Sequence, residues 1–279
     1  MERPTEPRPA ITIDDLSVSF PAPSGTLTAL DGLSGTMAAG ELVAVIGPNG
    51  CGKSTFLRAI AGLLSPSAGR IGLRPDGSPP RAGDGRVGLV FQQPRLLGWR
   101  SAAENVALPL ELTGTLRVGR RQAAERALAQ VGLADAGIGD LLPRELSGGM
   151  QQRVALARSL VTDPSILLLD EPFSALDALT REAFDAQLES LWLARRRTIV
   201  LVTHSVGEAI RLADRIWVMS PRPGSLAADI AVPLPRPRPS RLTGDPAAAA
   251  VEAQVRRTLS AVHAPELEGW AEPGREDAA

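Results

Sequence analysis

Apolar residues follow two rhythms along this chain. Ile11, Ile13, Leu16, Val18 and Phe20 recur at close to every second position, the period of a strand with one buried face. A turn cluster of Pro, Ser and Gly spans residues 21–25, and residues 26–37 read as a returning strand. Leu42–Ile46 is an unbroken apolar run, as expected of a strand buried on both faces. Similar runs lie at 87–91, 166–169, 199–202 and 216–219. Helical spacing appears between several of them: Phe184, Leu188, Leu191 and Trp192 make one stripe, and Met150, Val154, Ala157 and Val161 another. Buried strands alternating with helices predict an α/β fold on a parallel sheet.

Residues 98–160 break this rhythm. They read as mostly helical, with no central strand, and predict a subdomain inserted into the sheet domain. Residues 234–243 alternate Pro and Arg, which cannot continue a strand ladder and predicts an extended run across the surface. Residues 246–262 read as a helix, 265–279 as a loose end and 1–10 as a frayed arm.

Composition narrows the classes. The 279 residues are 44% apolar and 22% charged with a net charge of −1, enough for a full core and without the basic excess of a nucleic-acid binder. No apolar run reaches the roughly 18 residues that cross a bilayer, and Glu2, Arg3, Pro4, Glu6 and Pro7 leave no apolar core for a signal peptide. A lone Cys rules out an internal disulfide framework. These features predict a soluble, cytosolic protein. Lys and Arg total 30, yet Lys53 is the only Lys, and Tyr is absent. A bias this strong toward Arg makes the surviving Lys worth locating.

That Lys lies in Gly47-Pro48-Asn49-Gly50-Cys51-Gly52-Lys53-Ser54-Thr55, which matches G-x-x-x-x-G-K-[ST] between a buried strand and a helix-like segment. Small residues let backbone N–H groups wrap a β-phosphate, and the following helix turns its positive end toward the same anion. Lys53 adds a mobile charge for the β- and γ-phosphates, Ser54 a hydroxyl for Mg²⁺, and Thr55 a bond to the α-phosphate. Cys51 reads as a small loop residue, since no Cys–His arrangement surrounds it. A second signal is the apolar run 166–169 ending in Asp170-Glu171-Pro172. Asp170 is a candidate to hold Mg²⁺ through water, and Glu171 to orient and deprotonate a water aimed at the γ-phosphate.

Leu146-Ser147-Gly148-Gly149-Met150-Gln151-Gln152-Arg153 resembles the signature motif of ATP-binding cassette (ABC) proteins. Other elements of that family follow in order: Gln92 matches the Q-loop, Ser174-Ala175-Leu176-Asp177 the D-loop, and His204 the switch histidine. Phe20 stands where the family places an aromatic ring under adenine. The resemblance implies a P-loop NTPase fold of RecA-like type: a largely parallel sheet, an antiparallel β subdomain and an inserted helical subdomain carrying the signature. It divides the chain into a cassette at 11–232 (core 11–97 and 161–232, helical subdomain 98–160), an arm at 1–10 and an extension at 233–279.

The same resemblance implies a mechanism needing two cassettes, a second copy or a homologous ATPase. Each ATP lies between one phosphate loop and the partner's signature, here Ser147, Gly148, Gly149 and Gln151. Ser54, Gln92 and Asp170 would hold Mg²⁺. Glu171, His204 and Lys53 are the expected catalytic residues, and Asp177 couples the two sites. Residues 91–100 and 202–210, with 218–224, are similar to the nitrate/sulfonate/taurine importer class, although Gly98 stands where Pro is common. The implied protein is an importer ATPase on the cytoplasmic face of a bacterial membrane. Its implied partners are permease subunits and an extracytoplasmic solute-binding protein, not nucleic acid. An exporter ATPase and a non-transport regulatory ATPase are the alternatives. Leu96, Leu97 and Trp99 are expected to line the groove for the permease.

Overall fold

A computed structural model of the protein describes residues 9–268 apart from 24, 84, 175–176, 240–241 and 243. The alternating N-terminal segments form a hairpin of β1 (Pro9–Ala22) and β2 (Gly25–Ala38), and β4 (Ala68–Leu73) pairs with the other edge of β1. All three are antiparallel. Pro9 and Ala10 belong to β1, so the expected arm is shorter than 1–10, and residues 1–8 lie outside the described residues.

The unbroken apolar runs form the second sheet. Its strands are β3 (Leu42–Ile46), β5 (Val87–Val90), β6 (Ile166–Asp170), β7 (Thr198–Val202), β8 (Arg215–Met219) and β9 (Leu226–Ala231). The order is β5-β6-β7-β3-β8-β9, parallel except for β9, which the apolar pattern did not disclose. Every residue of β3, β6 and β7 is buried. Successive side chains point to opposite faces and feed two cores. Leu42, Ala44, Leu167, Leu169, Ile199 and Leu201 join one, and Val43, Val45, Leu168, Val200 and Val202 the other.

On one side lies α1 (Lys53–Ile60), packed through Phe56, Leu57 and Ile60 with the antiparallel sheet. On the other lie α5 (Ala178–Ala194) and α6 (Val206–Leu212), and the segment between β5 and β6 contributes α2 (Ala102–Leu112), α3 (Arg117–Gln130) and α4 (Gly148–Leu160). Small residues Ala103, Ala124 and Ala127 let these helices meet closely around Val106, Leu128, Val131 and Val154. Among the described residues no helix is long and apolar enough to cross a membrane.

The Pro–Arg stretch refines the sequence expectation. It runs extended along the surface as expected, with Pro233, Pro235, Pro237 and Pro239 exposed, but its alternate residues turn inward: Arg238 is only 5% exposed and Leu234 8%. Arg238 donates from Nη1 to the carbonyls of Ile210 (2.6 Å) and Ala213 (2.7 Å), and from Nη2 to those of Val232 and Leu234 (3.2 Å each). It thereby satisfies acceptors left over at the end of α6. Arg236, two residues earlier, bonds Asp214 and Glu189 (3.2 Å) and stacks 4.2 Å over Trp192. Burial, with Arg236 beside it, pushes the Arg238 guanidinium down to about 10, still charged at neutral pH. Arg238→Ala would take the donor from the carbonyls of Ile210, Ala213 and Leu234, while that of Val232 keeps the Leu234 N–H, and a loss of at least about 3 kcal/mol is expected. For a chain of this size that lowers Tm by roughly 6–10 °C, read by calorimetry.

The strap leads into α7 (Pro246–Glu268), which lies against α6 and β9 and buries Ala248, Val251 and Val255. This helix runs past 262 and takes in part of the expected loose end. Residues 269–279 lie outside the described residues.

Candidate functional site

Four parallel neighbours, β5, β6, β7 and β3, end on one edge of the sheet, where open α/β sheets bind ligands. The segments leaving those ends carry Gln92, Asp170-Glu171, His204 and the phosphate loop. The sheet order therefore brings together residues up to 157 positions apart in the chain, from Gly47 to His204.

The loop is shaped by its glycines and by Lys53. Gly52 caps α1 with φ 103°, and a Cβ there would sit 2.7 Å from Leu30 Cδ2. A Cβ on Gly47 would sit 2.9 Å from the Met219 carbonyl. Only glycine allows both the left-handed turn and this close approach. The Lys53 ammonium, 6% exposed, donates to the carbonyls of Pro48 (2.7 Å) and Gly47 (2.9 Å), closing the loop into a ring. Cys51 is buried beneath it with Sγ 3.9 Å from Nζ, and burial pushes its thiol up, consistent with a packed loop residue. Asn49, Gly50, Gly52, Lys53, Ser54, Thr55 and Glu171 line a cleft of about 200 Å³.

Ser54 Oγ donates to Asp170 Oδ1 at 3.0 Å. Burial, reinforced by the Glu171 charge and opposed by the Ser54 bond, holds the Asp170 carboxyl above its usual range. A hydroxyl and a carboxylate in contact are hard oxygen donors of the kind Mg²⁺ accepts. Glu171 has φ 45°, a left-handed conformation a Glu seldom adopts, and its N–H donates to Val202 O at 3.0 Å, pinning the turn to β7. The turn aims the carboxylate at the cleft. Gln92 Nε2 donates to Glu171 Oε2 at 3.2 Å, and His204 Nδ1 stands 3.7 Å from the same oxygen.

The remaining sequence candidates are placed apart from this cluster. Ser147 caps α4, its Oγ accepting from Met150 N at 3.2 Å, and Gly148 and Gly149 open the helix. Gln151 turns its amide inward, donating to Pro143 O (2.9 Å) and Leu146 O (3.2 Å), so its place is beneath the signature turn. Phe20 is half-buried on β1 opposite Leu27. Asp177 caps α5 and accepts from Thr180 N at 3.0 Å, while Ala175 and Leu176 lie outside the described residues. None of Phe20, Ser147, Gly148, Gly149 or Asp177 lines the cleft.

Two side chains that hold the site escaped the sequence reading. Asn105, fully buried, accepts from Leu97 N (2.7 Å) and donates to the carbonyls of Leu97 and Arg100. Arg158 on α4 donates to Pro94 O (2.8 Å) and Arg95 O (2.9 Å). Together they template the loop after Gln92 and fasten it to the helix that begins at the signature. A polar residue on an otherwise apolar helix face was the available signal for Asn105; Arg158 gave none among so many arginines.

A family model described as "ABC transporter" matches residues 30–174. The chain is 47% identical over 241 residues to the aliphatic sulfonates import ATP-binding protein SsuB 1 of Mesorhizobium japonicum, covering 84% of this chain and 87% of that protein. It is 44% identical over 224 residues to the taurine import ATP-binding protein TauB of Roseobacter denitrificans, covering 80% and 82%. Among solved structures, a dimeric post-hydrolysis state of the ATP-binding cassette MJ0796 bound to ADP and Pi aligns with a TM-score of 0.71 at 31% identity, covering 80% of this chain and 98% of that one. With its nucleotide loop, acidic strand end and signature helix in one fold, this chain belongs to the ABC transporter family.

Proposed function

We propose that the chain is the ATP-hydrolysing subunit of a binding-protein-dependent importer for small organic sulfonates such as taurine. The observation that carries the ATPase reading is the Glu171 carboxylate, bonded by Gln92 and with His204 Nδ1 3.7 Å away, at the mouth of the Lys53 loop. ATP enters with its phosphates in the loop, where Lys53 and the amide groups before α1 balance their charge. Ser54, Asp170 and Gln92 would hold Mg²⁺, which would neutralise phosphate charge there. Glu171 accepts a proton from the attacking water, and His204 fixes the γ-phosphate geometry.

In the same reading, two copies pair head to tail. Ser147, Gly148 and Gly149 of one then bind the γ-phosphate held by the other, using a hydroxyl and an open helix N-terminus. The importer reading rests on the sulfonate and taurine relatives. The pairing has support in the dimeric MJ0796 cassette. The chain sits on the cytoplasmic face of the membrane, against permease subunits that receive solute from an extracytoplasmic binding protein. ATP-driven uptake of labelled taurine or an alkanesulfonate into vesicles carrying the assembled complex tests the substrate class, and uptake of neither removes it.

Trp99 marks the permease contact in this account. Its ring is 77% exposed, beside Arg100, Ala103 and Ala107 of a 700 Å³ groove. An indole so exposed on a loop braced by Asn105 is suited to a partner. Leu96 packs on the core instead and Leu97 is half-buried, so the docking role narrows to Trp99. Trp99→Ala is expected to reduce copurification with the permease at least tenfold at unchanged ATP affinity; normal copurification would refute the role.

A further inference from the structure

His204 is the least constrained member of the site. Its side chain is 58% exposed, and among the described residues its one ion-pair contact is with Glu171 Oε2, at 3.7 Å. Its aim must therefore come from the backbone on either side. That backbone is held by Thr203 and Glu208, neither of which the mechanism above uses.

Thr203 extends β7 by one bond, its N–H donating to Val45 O at 3.2 Å, and is 2% exposed. Its hydroxyl works in both directions. It accepts from Ser205 N at 3.0 Å, beyond His204, and donates to Glu208 Oε2 at 2.5 Å. Glu208 N in turn donates to Ser205 Oγ at 3.2 Å. The pattern Ser205-x-x-Glu208 looks like a capping box, but the Glu208 carboxylate is diverted from the helix cap to Thr203. His204 thus sits at the apex of a closed ring of side-chain and backbone bonds.

The ring has an outside anchor. Glu208 is 8% exposed, and its other oxygen, Oε1, lies 3.7 Å from Arg181 Nε. Arg181 is on α5, where its N–H makes the first helical bond, to Asp177 O at 2.9 Å. A second contact, Arg211 Nε to Asp185 Oδ2 at 3.2 Å, ties the same two helices one turn further along. The helix that opens at Asp177 and the loop carrying His204 are therefore braced by two ion pairs, a half-buried one at Arg181–Glu208 and a buried one at Arg211–Asp185.

We propose that Glu208 is a positioning residue for His204: it clamps the switch loop through Thr203 and ties it through Arg181 to the helix beginning at Asp177. This rests on the reading of His204 given above. Displacement of Asp177 when two cassettes close is carried by the clamp to the histidine.

The test is steady-state ATP hydrolysis by the full-length chain, with Glu208→Ala, Thr203→Val and Thr203→Ser made in the wild type and in His204→Ala. In the wild type, Glu208→Ala and Thr203→Val are expected to lower kcat at least tenfold with KM changed less than twofold, and Thr203→Ser to restore most of the Thr203→Val loss. In His204→Ala the same changes are expected to cost less than twofold further. Losses of equal size in both backgrounds, or a raised KM at unchanged kcat, would overturn the clamp alone. A His204→Ala chain hydrolysing at the wild-type rate would overturn the role of His204 and the clamp with it. Should Glu208→Ala fail to fold, Thr203→Val, which keeps the side-chain volume, gives the same readings.

Discussion

Glu171→Gln is expected to bind ATP as tightly as the wild type and to hydrolyse it at least about 100-fold more slowly, the contribution of a positioned general base. The substitution preserves size. It leaves the φ 45° turn and the N–H bond to Val202 O intact, because both belong to the backbone. The amide can still pair with Gln92 by presenting its oxygen to Nε2. What it cannot do is accept a proton from water. The loss should therefore fall on kcat with KM unchanged, the pattern of an interaction made only in the transition state. Phosphate release under saturating ATP, together with a nucleotide titration, checks both halves. Hydrolysis within tenfold of wild type would remove Glu171 as the base.

Lys53→Ala is expected to weaken ATP binding about 10- to 100-fold, the worth of a charge-assisted bond. Two losses combine. The ammonium no longer meets the phosphates, and the bonds that close the loop, to Gly47 O and Pro48 O, disappear. No other Lys in the chain can substitute. Lys53→Arg is expected to fail almost as badly. A planar guanidinium is too broad for a pocket in which Lys53 is 6% exposed and already points between two carbonyls. Titration calorimetry with ATP and Mg²⁺ separates these variants; undiminished affinity in Lys53→Ala would mean that the backbone amides alone hold the phosphates.

The legible parts of this molecule were those in which chemistry dictates neighbouring residues. A phosphate loop has to be a contiguous run, because successive backbone amides do the binding, so Gly47–Thr55 could be read directly. The buried strands were legible for a similar reason: β3, β6 and β7 are covered on both faces, and their polar residues, Thr198 and Asp170, stand only at strand ends. Parts whose reason lies across the fold were hidden. β9 alternates and is half exposed, so its antiparallel place at the sheet edge depends on pairing with β8. The Pro–Arg strap looked solvated because Arg usually is. Its positions offered a signal nonetheless: in an extended segment Arg236 and Arg238, two apart, share one face, and that face meets the unpaired carbonyls ending α6. Gln151 lies within the signature run, but its inward turn is fixed by the carbonyls of Leu146, where the run begins, and of Pro143, which precedes it.

The composite site remains the central claim, since the signature and the phosphate loop of one chain do not line a common cleft. Light scattering on the full-length Glu171→Gln chain tests it most directly. With ATP and Mg²⁺ the mass is expected to double from 29.3 kDa, and to stay at 29.3 kDa without nucleotide. Adding Ser147→Arg, which places a bulky side chain at the open start of α4, should abolish the doubling at unchanged ATP affinity. A mass that does not respond to ATP, or that doubles equally well with Ser147→Arg, would contradict the account.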